Sequence, residues 1–200
     1  MEPEDLSFHR AMEALDAGLD DVVASPSDAG LVIKIVRRPE RDARVEVQRA
    51  QLDERKGLVG DDWFQRMRAK RPDVDPDPAS QLTLMNARAA ALIAVEPSRW
   101  ALAGDQLFVD LDLSTANLPP GSRLRVGDAL IEITPKPHTG CKKFVARFGL
   151  DAMRFVNSER GRRLNLRGIY AKVVEPGLVR VGDVVRKEAS GSTGSFRLSG

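Results

Sequence analysis

The single cysteine of this 200-residue chain, Cys141, is the side chain best suited to covalent or metal chemistry. It follows residues 129–134, whose alternating pattern is typical of a strand, and it precedes apolar residues at helical spacing over 144–148. The spacing predicts a thiol at a strand-to-helix corner, beside the free N–H groups of a helix N-terminus. Lys142 and Lys143 follow at once. Both features favour the thiolate, which is a nucleophile and a soft metal ligand.

A plainer alternative is a buried cysteine that acts as a small apolar side chain. His138, three residues earlier, is a candidate acid or base that could also stabilise the thiolate. Its alternative is a turn histidine that faces solvent. Zinc is not favoured, because one cysteine and two histidines, with His9 distant in sequence, make no ligand cluster.

Positive charge is concentrated after the cysteine. Residues 142–172 hold nine basic and two acidic side chains, so this segment carries +7 and the rest of the chain carries −5. Three interpretations stay open: a solvated helix face, an anion site suited to phosphate, and a nucleic-acid surface. The nucleic-acid interpretation is the least favoured, because Tyr170 is the only tyrosine and no aromatic platform accompanies the charges.

Some side chains in and near this segment have two roles open. Arg147 could bind phosphate or pair with Asp151 at i+4. Arg167 and Tyr170 could line a pocket, although Tyr170 could equally belong to the core. Asp105 and Asp110 could form a carboxylate pair, but turn and strand-surface roles are favoured for them. These four hypotheses depend on distances that the sequence does not supply.

Composition indicates a soluble protein of a reducing cytoplasm. The apolar content of 42% is enough for a core, and no window approaches the roughly 18 apolar residues of a membrane span. The first residues are acidic and lack the apolar region of a signal peptide. One cysteine excludes an internal disulfide, as expected for a cytoplasmic protein.

We predict three parts along the chain. Residues 1–28 form a helical extension and linker, with one apolar stripe from Phe8 to Leu19 and Ser7 as its cap. Residues 29–187 form the domain, and residues 188–200 form a flexible Gly/Ser-rich tail.

Within the domain the pattern is mostly that of strands. Asn86 is expected to cap a short helix that ends at Ala94, and a second helix is expected over 142–158 with an interruption near Gly149. The strands are predicted over 31–36, 43–48, 106–113, 123–134 (one strand or two), and 168–174 with 178–186, the last pair as a hairpin across 175–177.

Glycine-aspartate pairs punctuate the strands. The tetrapeptide RVGD occurs at 125–128 and again at 180–183, and Gly-Asp recurs at 60–61 and 104–105. Each pair can turn the chain, because glycine permits positive φ and aspartate caps the bend. Many short strands with such corners and few helices predict a mainly β, barrel-like fold rather than a doubly wound sheet.

These motifs together resemble a MOSC domain, the module found at the C-terminus of molybdenum cofactor sulfurases and in small stand-alone proteins. The resemblance covers roughly residues 30–186. The most specific run is PHTGCKKFVARFG at 137–149. The supporting motifs are LRG at 166–168, AKVV at 171–174, VRVGD at 179–183, GLVGD at 57–61 and GDQL at 104–107.

The resemblance implies a cysteine that ligates molybdenum or carries sulfur as a persulfide, and the matching residue is Cys141. It also implies the molybdenum cofactor, a pyranopterin that carries a phosphate. The residues expected to bind it are Thr139, Lys142, Lys143, Arg147, Arg167 and Tyr170, with Cys141 and His138 as catalytic groups. An alternative is a module without molybdenum that binds a phosphorylated ligand or nucleic acid.

The chain departs from the family pattern at two places. Asp110 stands where an asparagine is common, and an unpaired carboxylate there would repel an anionic cofactor. The cysteine is preceded by His-Thr-Gly rather than by the more usual proline. The chain also lacks a pyridoxal-phosphate-binding sulfurase domain and an electron-donor module. A separate sulfurase or electron-donor protein is therefore the expected partner.

Overall fold

The computed structural model describes residues 8–188 of the chain. The predicted cap Ser7 and the predicted tail, apart from Glu188, lie outside the described residues. None of the helices in this range is long and apolar enough to cross a membrane.

Residues 8–188 form eleven strands, six helices and two 3₁₀ segments. The strands are β1 (Ala29–Arg37), β2 (Val45–Val47), β3 (Arg49–Asp53), β4 (Gly57–Leu58), β5 (Leu82–Asn86), β6 (Leu107–Val109), β7 (Arg123–Val126), β8 (Ala129–Ile133), β9 (Ile169–Glu175), β10 (Gly177–Arg180) and β11 (Val184–Lys187). The helices are α1 (Met12–Ala17), α2 (Leu19–Val23), α3 (Trp63–Lys70), α4 (Ala87–Ala94), α5 (Lys142–Asn157) and α6 (Glu159–Arg163). The 3₁₀ segments are Pro78–Ser80 and Pro97–Ala103.

Seven strands close into a barrel in the order β1, β6, β5, β9, β8, β7, β11, and β11 pairs back onto β1. The β5–β6 pair is parallel, and the other pairs of the barrel are antiparallel. Strand β2 pairs with the last residues of β1. Strands β10, β3 and β4 form a separate three-stranded sheet. The prediction of a mainly β, barrel-like fold with a few short helices is confirmed.

Two apolar clusters lie on opposite sides of the barrel wall. The inner cluster fills the barrel, and the outer cluster joins the wall to α1, α2, α4 and α5. Neighbouring residues on three strands divide between them because side chains alternate along a strand. The inner and outer members of these pairs are Ile35 and Val36 on β1, Leu84 and Met85 on β5, and Leu107 and Phe108 on β6.

The N-terminal segment packs on the outer cluster through Leu15, Leu19 and Val22, which are all buried. The predicted single helix is wrong, because α1 begins only at Met12 and Gly18 separates it from α2. The apolar stripe is therefore real, but two short helices carry it.

Both copies of the RVGD motif form turns, as predicted. Gly127 and Gly182 have φ of 55° and 89°, a region that favours glycine. Gly127 joins β7 to β8, and Gly182 precedes β11. The region 123–134 therefore contains two strands.

Two other strand predictions need correction. The prediction of a hairpin across 175–177 is wrong, because β9 pairs with β5 and β8 whereas β10 pairs with β3. Pro176 marks a corner between two sheets, and the long-range partners that decide this are not local in sequence. The strand predicted over 106–113 is limited to β6.

Candidate functional site

Cys141 is the N-cap of α5, as the sequence predicts. Its backbone is extended, with φ −126° and ψ −179°, and its carbonyl oxygen accepts hydrogen bonds from the N–H groups of Phe144 (2.9 Å) and Val145 (3.1 Å). The residue is exposed, so the buried-cysteine alternative is wrong. Gly149, at φ 89°, breaks the helix after its first two turns, so a short helical segment starts at the thiol.

Cys141 opens on a pocket of about 500 Å³, which we call the cysteine pocket. No carboxylate side chain of residues 8–188 lines it. Its cationic lining residues are Arg38, Arg44, Arg66, Lys70, Lys136, Lys143, Arg147 and Arg167. This lining produces a positive potential that favours an anionic ligand.

Some of these cations lie against carboxylates outside the pocket wall, and others have no such partner. Asp61, Asp62, Asp42 and Asp105 pair with Arg38, Arg66, Lys143, Arg147 and Arg167. Within residues 8–188, no ion pair is formed by Arg44, Lys70 or Lys136. Lys136 instead donates to Ser80 Oγ at 3.1 Å and lies 5.8 Å above the ring of Tyr170. The pocket therefore has cations to offer to a ligand.

His138, Asp105 and Arg167 form a buried cluster beside the thiol. Arg167 Nη1 donates to Asp105 Oδ2 at 2.6 Å, and Arg167 Nη2 donates to the carbonyl oxygen of Ala103 at 2.8 Å. His138 Nδ1 lies 3.6 Å from Asp105 Oδ1, which is too long for a hydrogen bond. Both of these atoms and Arg167 Nε are buried without a hydrogen-bond partner.

The side chain of His138 is only 9% exposed, so the solvent-facing alternative is wrong. Burial, together with the positive charges of Arg167 and Arg38, lowers its pKa from 6.5 to about 3. The imidazole is therefore neutral at pH 7. With this low pKa it is a weak base, so it can hydrogen-bond to a ligand but does not readily take a proton, and it does not supply positive charge to the thiolate.

Tyr170 and Arg147 both line the cysteine pocket. The rings of Tyr170 and His138 are 4.5 Å apart between centroids, and burial raises the tyrosine pKa above 10, so its hydroxyl keeps its proton at neutral pH. Arg147 bonds to the carbonyl oxygen of Leu102 at 2.7 Å and lies 3.4 Å from Asp42. The alternative role of Arg147, a pair with Asp151, is wrong, because Asp151 instead lies 3.7 Å from Arg154.

The basic segment contributes less to the pocket than its charge suggests. Lys143, Arg147 and Arg167 line the pocket, whereas Lys142 and Thr139 are exposed and lie outside the lining. The remaining basic side chains of 142–172 also lie outside it, which agrees with a solvated surface.

The arginines that sequence reasoning missed come from the first third of the chain. Arg38 and Arg44 flank a loop between β1 and β2, and Arg66 and Lys70 lie on α3. The available signal is the run RRPERDAR at 37–44, with four arginines in eight residues. It lies about one hundred positions from Cys141, and only the closed barrel brings the two together.

The carboxylate at Asp110 is paired. Arg88 Nε lies 2.7 Å from Asp110 Oδ1, and this bond raises the pKa of the arginine. Asp110 does not line the cysteine pocket, so its charge does not oppose an anion there. Asp105 pairs with Arg167 instead, so the two aspartates do not form a carboxylate pair.

Comparison with known families agrees with this fold. The MOSC domain family matches residues 78–186, which is more than half of the chain. The chain belongs to the MOSC domain family. A search of curated proteins found no match.

Solved structures with the same fold extend the similarity of this MOSC protein to most of the chain. YuaD from Bacillus subtilis is 16% identical, covers 82% of this chain and 97% of its own, and superimposes with a TM-score of 0.62. YiiM from Escherichia coli is 20% identical over 81% of this chain and 71% of its own, with a TM-score of 0.53. YiiM from Geobacillus stearothermophilus is 12% identical over 82% and 77%, with a TM-score of 0.56. At these identities the likeness establishes the fold alone.

Proposed function

We propose that this MOSC protein binds the molybdenum cofactor in the cysteine pocket, with the Cys141 thiolate as the protein's ligand to molybdenum. The observation that carries the proposal is a solvent-accessible thiol in a pocket with eight cations and no lining carboxylate among residues 8–188. Thiolates suit metals that prefer sulfur, and arginine and lysine suit phosphate.

The residues present fit such a group. A pocket of about 500 Å³ lies within the usual size of cofactor sites. No group of three or more His, Cys, Asp and Glu side chains in residues 8–188 could hold a metal ion by itself. The metal would therefore arrive within a cofactor and gain one protein ligand at Cys141.

When bound, the cofactor supplies a molybdenum centre that exchanges two electrons with a substrate. The chain's own residues would bind and orient it: Lys136, Arg167 and Tyr170 offer donors to its phosphate and polar edges, and the neutral imidazole of His138 offers a hydrogen-bonding group in the same pocket. Electrons for a reduction come from a separate donor protein. A reduced, accessible thiol suits the cytoplasm.

Exposure of Cys141 favours a second candidate, sulfur transfer. The thiolate attacks the terminal sulfur of a donor persulfide, the donor's sulfur–sulfur bond breaks, and the donor leaves as a thiolate while Cys141 holds the persulfide. A separate pyridoxal-phosphate-dependent sulfurase would supply that sulfur.

The test is metal quantification and native mass spectrometry on the full chain, purified from a host that makes the cofactor. We expect molybdenum or an added sulfur in the wild-type protein, and at least about a tenfold loss in Cys141→Ser with unchanged thermal unfolding. Lys142→Gln, outside the pocket lining, is the matched control and should keep the wild-type content. A wild-type protein with neither molybdenum nor added sulfur would contradict both candidates and leave the alternative of a binding module for a phosphorylated ligand.

A further inference from the structure

A second cavity, of about 480 Å³, adjoins the cysteine pocket. The two share a wall made by Arg38, Arg44, Arg66 and Lys143. Neither Cys141 nor the cluster of His138, Asp105 and Arg167 lines the second cavity, so a group bound there does not contact the thiol.

Arg44 is the cation of this wall that a bound anion would stabilise most. Its side chain forms no ion pair within residues 8–188, and its Nε is buried without a partner. Its Nη1 donates to the carbonyl oxygen of Ala43 at 2.5 Å. Burial and the neighbouring positive charges of Arg147 and Arg38 lower its pKa. A cation held beside like charges is stabilised when an anion binds.

Asp42 lines the second cavity, as do Glu40 and Asp62, and it acts as an internal anion. Its Oδ1 is 2.6 Å from Lys143 Nζ and 3.4 Å from Arg147 Nη2, and the bond from Lys143 lowers the pKa of the carboxyl. The residue has φ 63°, an uncommon conformation for a residue with a side chain, and its side chain is about half exposed. An anion that carries more charge readily displaces an exposed loop carboxylate from its cationic partners.

We propose that Arg44 and Lys143, in the shared wall, and Arg147, which lines only the cysteine pocket and pairs with Asp42, form a second anion subsite, which holds a phosphate group of the substrate and which Asp42 fills in the free protein. Three cations match a phosphate better than a carboxylate, because the phosphate carries more charge and has more acceptor oxygens. The inference rests on the proposed function for the reaction itself, which takes place in the neighbouring cysteine pocket.

The experiment titrates the full chain, free of cofactor, with inorganic phosphate and follows the Nε–H signals of the arginines by NMR. Phosphate should shift the Arg44 signal. Asp42→Asn should tighten that binding by about threefold to fivefold, the effect of one exposed ion pair. Asp128→Asn removes the same charge from an exposed turn that lines neither cavity, so it should leave the affinity unchanged.

Arg44→Gln should weaken phosphate binding at least fivefold, whereas Arg49→Gln, on β3 and outside both cavities, should not. Equal affinities in Asp42→Asn and Asp128→Asn, or an Arg44 signal that phosphate does not move, would overturn the inference. If the protein binds molybdenum but these results fail, only the subsite is wrong. If phosphate binds as expected but neither molybdenum nor sulfur is found, only the proposed function is wrong.

Discussion

At the scale of single residues, the buried cluster next to the cysteine pocket has three polar atoms without hydrogen-bond partners: His138 Nδ1, Asp105 Oδ1 and Arg167 Nε. Buried polar atoms are normally hydrogen-bonded, and an unpaired one costs stability. The Arg167–Asp105 bond at 2.6 Å holds two of the three groups in place. The cluster therefore keeps unpaired polar atoms that the fold alone does not require, as expected of a binding site.

The depressed pKa of His138 makes stability depend on pH. Its folded pKa of about 3 lies below the ordinary 6.5, so the unfolded chain binds more protons between these values. Stability from this group is present above pH 6.5 and is lost progressively as the pH falls toward 3. His138→Gln should therefore reduce the loss between pH 6.5 and 4.5 by about 2 kcal/mol, measured by urea unfolding.

The matched control is His9→Gln, which removes the other imidazole, outside the cysteine pocket. An equal acid dependence in the wild type and in His138→Gln would show that folding does not lower the pKa of this imidazole.

At the scale of elements, Gly149 divides the helix that begins at Cys141. Its φ of 89° is favourable for glycine, and an added Cβ would lie 3.1 Å from the ring of His9. The break lets the chain bury Phe148 and Phe155 on either side of it in the outer cluster. The first helical segment, which begins at the thiol, therefore has an orientation independent of the second segment.

Gly149→Ala should destabilise the protein by about 2 kcal/mol or more in urea unfolding, because backbone strain and the contact with His9 add together. Gly182→Ala is a matched control. It has the same φ of 89° but open space around the added Cβ, so it should lose less stability, about 1 kcal/mol. Equal losses in the two variants would contradict a role for the His9 contact.

Local features of this chain were predictable and long-range ones were not. The side chain of Asn86 caps α4 by accepting from Ala89 N–H at 3.0 Å, and the break at Gly149 follows from its residue type. Both are decided within a few residues. The pairing of β10 with β3 and the approach of Arg44 to Arg147 depend on barrel closure, which a linear pattern does not encode. For the same reason, charge density along the chain predicted a role in the pocket for Lys142, which lies outside the lining.

At the scale of the whole molecule, one barrel wall supports two cores. Strands β1, β5 and β6 contribute alternate side chains to the inner and the outer cluster. The helices cannot separate from the wall without exposing Val36, Met85 and Phe108. Because the same strands serve both clusters, we expect the two cores to unfold together.

The two tryptophans show whether a defect in the outer cluster spreads beyond it, because Trp63 belongs to neither cluster. Trp100 belongs to the outer cluster, and Trp63, at the start of α3, lies outside it. Leu19→Ala, at a position 1% exposed, should cost about 2–5 kcal/mol by leaving a cavity in the outer cluster. In single-tryptophan backgrounds, the Trp63 and Trp100 fluorescence midpoints in urea should fall by the same amount. Val23→Ala, at a position 50% exposed, should move neither midpoint, and a shift confined to Trp100 would show that the outer cluster unfolds independently.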